Sequence, residues 1–306
     1  ADSCLEAREL RVDDILLQNF KNKQIPITPH VVPMLYTVIQ QAPFQFSVQN
    51  AYVNRFNVIY EELAKKGTSP GRLIFTDMNG HVSGLTNIPS AFDQYIRLEA
   101  TGYMMGEGAF HAVWQLPVDP ANDRFLLQAH LDSLDLTTLN QIVTPLANAE
   151  VKNGKAYDIR FHMDAGSPGG TIDLTVPYRG LKVALLKKKK EGELADRAFL
   201  SGLANMLLKH DNPSYPERPD SKLRQVNRYV ERDPYHSTFN YLWQLLKPAL
   251  IETVGVSETE QKIAKGVGGF FAKIKKFFSF GKKKKQEELA SDTFILTEEE
   301  LSPEIK

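Results

Sequence analysis

The chain has 306 residues, with 37 basic and 37 acidic side chains and a single cysteine. That length supports one large or two ordinary domains around a sizeable core. Zero net charge excludes a chain built as a general polyanion binder, and the lone Cys4 excludes an internal disulfide.

No run of apolar residues is long enough for a membrane-spanning helix, which needs roughly 18 or more. No signal peptide is read at the start. The opening "ADSCLEAREL" reads as an interior point of a longer gene product, with an anchor or export signal expected outside this chain.

The first strong pattern is a long alternation from Phe44 to Tyr60. Even positions carry Phe44, Phe46, Val48, Tyr52, Phe56, Val58 and Tyr60; odd positions are mostly polar. One apolar and one polar face predicts a half-buried antiparallel strand, with a bulge or bend near Asn50. Further strands follow in order. Ile96, Leu98 and Ala100 alternate with Arg97, Glu99 and Thr101. Phe110, Ala112, Trp114 and Leu116 come after the Gly106-Glu107-Gly108 turn, then Phe125, Leu127, Ala129 and Leu131. Tyr157, Ile159, Phe161 and Met163, then Ile172, Leu174 and Val176, then Leu181, Val183 and Leu185 complete the set. The links "VDPAND", "KNGK" and "AGSPGG" are turn-like. "LTTLNQIVTPLANA" changes period and reads as a short helix or covering loop broken at Pro145.

Helices come late. A helix is predicted over 193–209, then a polar connector over 211–234. Ser237 then caps a helix whose apolar face is Phe239, Leu242, Leu246, Ala249 and Leu250, kinked at Pro248. A basic amphipathic helix is predicted over 258–280. Residues 258–285 hold nine lysines against Glu258 and Glu260; residues 286–306 hold seven acids against Lys306 and read as a disordered acidic tail.

The fold class is therefore mainly β: a long antiparallel meander sheet, curled into an elongated groove or open barrel, with C-terminal α-helices. Residues 1–190 form the β domain, 191–285 the helical region and 286–306 the tail. Such a one-faced sheet either closes on itself or stays open with its apolar face offered to something.

Chemistry is sparse. There is no nucleophile elbow, phosphate loop or zinc-protease motif, so the chain reads as non-enzymatic and without a cofactor. His130 with Asp132 and His162 with Asp164 share a strand face, but solvent-facing polar pairs are the ordinary reading and no metal is assigned. "KKKKEGE" at 187–193 reads as a solvated connector, and nothing pairs basic residues with stacking aromatics as a nucleic-acid site requires.

The ordered succession of "VIYEELAKKGTSPGRLIFTDMNG" (58–80), "ATGYMMGEGAFHAVWQLP" (100–117), "LDSLDLTTLNQIVTPLANAEVKNGKAYDIRF" (131–161), "YRGLKVALLKKK" (178–189), "FLSGLANMLLKHDNP" (199–213) and "ERDPYHSTFNYLWQLLKPAL" (231–250) resembles the C-terminal region of AsmA-like, TamB-related proteins of the Gram-negative envelope. The resemblance implies a β groove with an apolar lining that shields lipid acyl chains moving between membranes, in a periplasmic, membrane-associated protein of envelope biogenesis. It carries no catalytic motif, so residue roles follow the alternation. The expected lining is Phe46, Val48, Phe56 and Val58, then Ile96, Leu98, Phe110 and Trp114. It continues with Phe125, Leu127, Ile159 and Phe161, then Ile172, Leu174, Val183 and Leu185. The expected membrane contact is Phe270, Phe271, Lys273, Ile274, Lys276, Phe277 and Phe278, on a segment that either rests on lipid or caps the open end of the sheet. The other class of function consistent with these elements is an interaction scaffold for outer-membrane assembly, docking a partner by a sheet edge or by the C-terminal helices.

Overall fold

A computed structural model of the chain describes residues 4–25, 30–89, 94–188, 194–196 and 208–255. Its strands are β1 (Cys4–Asp13), β2 (Leu16–Asn22), β3 (Gln45–Leu63), β4 (Gly71–Thr86), β5 (Tyr95–Met104), β6 (Gly108–Pro117), β7 (Phe125–Asp135), β8 (Ala149–Ala165), β9 (Gly169–Thr175), β10 (Tyr178–Lys188), β11 (Leu194–Asp196) and β12 (Gln225–Glu231). The helices are α1 (Leu35–Gln40), α2 (Asn140–Ala147) and α3 (Thr238–Thr253), with a 3-10 turn at Leu136–Leu139 leading into α2.

All twelve strands belong to one sheet, which is not closed into a barrel; the three-residue β11 extends the end of β10. From β3 to β8 each strand pairs antiparallel with the next, as the alternation predicts. The 17-residue β8 is long enough to split its free edge, pairing β10 through Ala149–Ala156 and β9 through Arg160–Ala165. β12 then adds to β9.

Three expectations are corrected. The sheet is mixed rather than wholly antiparallel, because β1 and β2 both run parallel to β3. The segment expected to open a helix at 193–209 instead places Leu194–Asp196 on β10 as β11; residues 197–207 lie outside the described residues. The supposed connector over 211–234 contains β12, whose full register with β9 satisfies backbone groups that its polar composition does not advertise. The bulge in β3 falls at Arg55, whose φ of 51° is left-handed, and Asp77 on β4 matches it with a φ of 51°. Asn50 and Tyr52 therefore hold His81 on the polar face, by a 2.9 Å hydrogen bond and a 4.7 Å ring stack. Val53 and Phe56, three apart, both lie beside Gly80 on the other face. One extra residue has reset the alternation.

The core sits on that apolar face. α1 and α3 cover it where β6 ends and β7 begins: Tyr36, Tyr241, Leu245 and Ala249 join Ile96, Leu116, Phe125, Met163, Ile172, Leu174 and Val226 in one cluster. Ser237 caps α3 as predicted, its hydroxyl accepting from the Asn240 amide at 3.4 Å. α1 and α3 are tied together, the Thr238 hydroxyl accepting from the Leu35 amide at 2.8 Å. At the opposite end of the strands α2, which includes Pro145, packs on β4 and β8. Asn140 fixes its start by a two-way bond to the backbone of Val151, at 2.8 and 2.7 Å.

Candidate functional site: the half-buried middle of the apolar face

Residues facing each other across paired strands share a side of the sheet, so the register assigns rows. One row runs Val82, Leu98, Trp114, Leu127, Met163, Ile172. The next runs Val53, Gly80, Ala100, Ala112, Ala129, Phe161. Beyond it lie Phe56 opposite Met78, and Phe110, Leu131 and Ile159 in register. Four small residues, from Gly80 to Ala129, thus form a line between two lines of large apolar ones. At about 4.8 Å per strand this line is roughly 14 Å long. Gly102 keeps the third row close: a Cβ there would come within 2.7 Å of the Met78 side chain and 3.0 Å of the Thr76 carbonyl.

Burial separates the ends of this face from its middle. Of the expected lining residues, Ile96, Phe125, Ile172 and Leu174 are enclosed in the core under α1 and α3, Phe125 being 0% exposed. Trp114 and Leu127 are also buried, at the margin of that cover. Val48 is buried against β4, opposite Leu85. Phe46, Phe56, Val58, Leu98, Phe110, Ile159, Phe161 and Val183 remain half-buried, as do the small residues Gly80, Ala100, Ala112 and Ala129. Leu185 pairs with Ala149 through its backbone. Phe270, Phe271, Lys273, Ile274, Lys276, Phe277 and Phe278, with the whole 258–280 segment and the acidic tail, lie outside the described residues.

Aromatic contacts frame the middle of the face. Phe75 meets Phe110 edge-on at 5.8 Å, and Trp114 meets Phe125 at 5.8 Å and Phe239 of α3 at 5.9 Å. Towards α2 the face ends in charge, a feature that alternation could not announce. Lys23 donates to Glu62 in the interior, and the Tyr60 hydroxyl donates to the second Glu62 oxygen at 2.6 Å. Lys247 of α3 is also buried; its burial, with the charge of Lys23, lowers its pKa to about 7, against a smaller opposing pull from Glu62. At the other end Tyr36 donates to Asp123, which also accepts from the Ser167 hydroxyl at 2.9 Å, and burial drives the Tyr36 pKa up.

The opposite face is polar and self-paired. Tyr52, His81, Glu99, Val113, Gln128, His162, Asp173 and Asn227 follow one another across eight strands. The histidines weighed as metal ligands belong to such ladders: His111 meets Glu99 at 2.7 Å, and His130 meets Asp158 at 2.8 Å. Asp164 is held by Arg124 at 2.6 Å, which keeps its carboxyl below the usual range. Among the described residues no group of three or more His, Cys, Asp or Glu is arranged to hold a metal ion, and no helix is long and apolar enough to cross a membrane.

Between the polar ends of the apolar face the paired rows are apolar among the described residues, the indole N–H of Trp114 apart. Comparison of the chain with family models, curated proteins and solved structures yields no match.

Proposed function

We propose that the protein is a non-enzymatic lipid-handling module of a Gram-negative envelope, whose apolar sheet face shields acyl chains during transport between membranes. The observation that carries this reading is the half-buried middle of the face, where a line of small residues runs between two lines of large apolar ones. A finished core would bury these side chains, as it does Phe125 and Ile172. Burial of acyl chain there gains about 25 cal/mol per Å² of apolar surface, while head groups remain in water. The AsmA-like motif succession supports the same reading and its periplasmic, membrane-associated setting.

The test is lipid occupancy. Protein purified without detergent and examined by native mass spectrometry is expected to carry phospholipid, and Phe110→Asp to lose it while remaining folded. Lipid-free wild-type protein that also fails to take up phospholipid from vesicles would exclude the reading.

A second reading has its own observation. Among the described residues β1 and β2 pair with β3 along one side only, and their segment exposes Leu5, Leu10, Leu16, Leu17 and Phe20. An apolar edge strand favours a scaffold that accepts a further strand from an assembly partner. Proline substitution of Leu10 would abolish such docking and leave lipid occupancy intact.

A further inference from the structure

α3 is apolar on two sides. Its inward residues Tyr241, Leu245 and Ala249 are sealed in the core. A second stripe, Phe239, Leu242, Trp243, Leu246 and Leu250, follows at steps of 3, 1, 3 and 4. It is only partly covered, Phe239 being 61% and Trp243 42% exposed. A helix apolar on both sides belongs between two layers. The way the chain leaves α3 indicates the second one. Gly255 turns at a φ of 85°, its amide donating to the Glu252 carbonyl at 2.9 Å, while the Lys209 amide holds the Val254 carbonyl at 2.9 Å. Only Val256 and Ser257 separate this left-handed stop from the basic helix predicted over 258–280. A link that short joins antiparallel neighbours.

We propose that the segment 258–280 folds back along α3 and seats its apolar stripe on Phe239, Trp243 and Leu246. At about 1.5 Å per residue α3 is about 24 Å long and the segment about 34 Å, so the segment spans the whole helix. Running antiparallel from the turn at Gly255, Ile263 and Val267 come beside Leu246 and Trp243, and Phe270 and Phe271 beside Phe239. Charge permits the contact. Lys247 is buried and the exposed Glu252 is acidic, so α3 presents no cation to the lysines flanking the segment's stripe. One stripe cannot meet α3 and a bilayer at once. The proposed membrane contact of the segment therefore competes with α3, whereas the docking itself does not depend on that contact.

The experiment uses the full chain. Hydrogen exchange read by mass spectrometry should show the amides of 260–274 at least about tenfold slower than unstructured-chain rates, independent of protein concentration. Trp243→Asp puts a charge in the middle of the α3 stripe and should return 260–274 to unstructured rates while the sheet keeps its own. The same variant should bind phosphatidylglycerol vesicles about tenfold more tightly than wild type, because the segment no longer has to leave α3. Phe271→Asp, on the segment itself, decides the matter if Trp243→Asp does not fold. It should remove the protection and raise acrylamide quenching of Trp243, which dominates that signal because Trp114 is buried and no other tryptophan exists. Unstructured rates in the wild type, or protection that appears only at high protein concentration and so comes from a second copy, would overturn the docking. So would protection that survives Trp243→Asp, or vesicle binding lost in that variant, since α3 would then be the surface that meets the bilayer. If neither protein binds vesicles the membrane contact fails, and exchange alone decides the docking.

Discussion

Lys23 and Glu62 form an ion pair in the interior, 5% and 8% exposed, joining the residue after β2 to the end of strand β3. Their partner strands run parallel, with Asn22 opposite Leu63, so the pair closes the register of the N-terminal segment against the sheet. A buried pair is costly to break from one side, because the remaining charge stays in low dielectric. Glu62→Gln should destabilise the protein by about 3–5 kcal/mol. Lys23→Met with Glu62→Leu should recover most of that loss. Urea denaturation of the three proteins checks both statements, and an equal loss in single and double variants would contradict them.

Lys247 makes stability depend on pH. Its folded pKa of about 7 lies below the ordinary 10.5, so folding expels a proton between those values. The unfolded chain then binds more protons, and this group's contribution to stability increases as pH rises from 7 toward 10.5, by at most about 1.4 kcal/mol per unit. Below pH 7 both states are charged and the full burial penalty remains. Lys247→Met should flatten the profile across that window, most visibly as a gain in stability at its lower end.

Filling the line of small residues should block the face without disturbing the core. Ala112 is flanked by Ala100 and Ala129 and is half-buried, so Ala112→Phe places a ring where an acyl chain would lie. Lipid occupancy by native mass spectrometry is expected to drop at least fivefold, about 1 kcal/mol, with a thermal midpoint close to wild type. Phe125→Ala is the contrast: it should cost about 3–5 kcal/mol by opening a cavity in the sealed core.

Arg224 holds the C-terminal end of α3 against β10. Its guanidinium donates to the Thr253 carbonyl at 3.0 Å, the Tyr178 hydroxyl at 2.9 Å, the Asp211 carbonyl at 2.6 Å and the Ser214 hydroxyl at 2.5 Å. Arg224→Ala should cost about 3 kcal/mol and speed hydrogen exchange in the last turn of α3. The three donors of a lysine ammonium, held at one point, cannot reproduce a planar fork that reaches four acceptors, so Arg224→Lys should rescue little.

The basic segment 258–285 is tested by removal. A chain ending at residue 257 should lose co-sedimentation with anionic vesicles and retain lipid occupancy of the sheet face, since nine lysines and an aromatic stripe are the elements suited to a negatively charged surface. Loss of occupancy as well would place the segment over the face instead.

Where alternation is clean, sequence and structure agree. Phe110, Ala112, Trp114 and Leu116 lie in β6, and the turn before them falls at Met105 and Gly106, both left-handed. Ser237 likewise sits where its cap is predicted. Elsewhere the signal is absent for physical reasons. Leu16 and Leu17 are adjacent and both exposed, so an edge strand that buries neither face leaves no period to read. β12 buries Val226 while Asn227 and Tyr229 face solvent, too little apolar content to distinguish it from a loop. Arg55 carries no mark of its left-handed backbone, yet it decides which residues of β3 face the core.

The candidate site divides the same way. Local periodicity was sufficient to determine a wide sheet with one apolar face, because side chains on a strand alternate whatever else surrounds it. Which part of that face is sealed and which is only half-buried is a non-local matter. It depends on α1 and α3 packing over Phe125 and Ile172, on α2 reaching β4, and on register that brings Gly80, Ala100, Ala112 and Ala129 into line from four separate strands. Those contacts join residues far apart in the chain, and only the tertiary structure could place them.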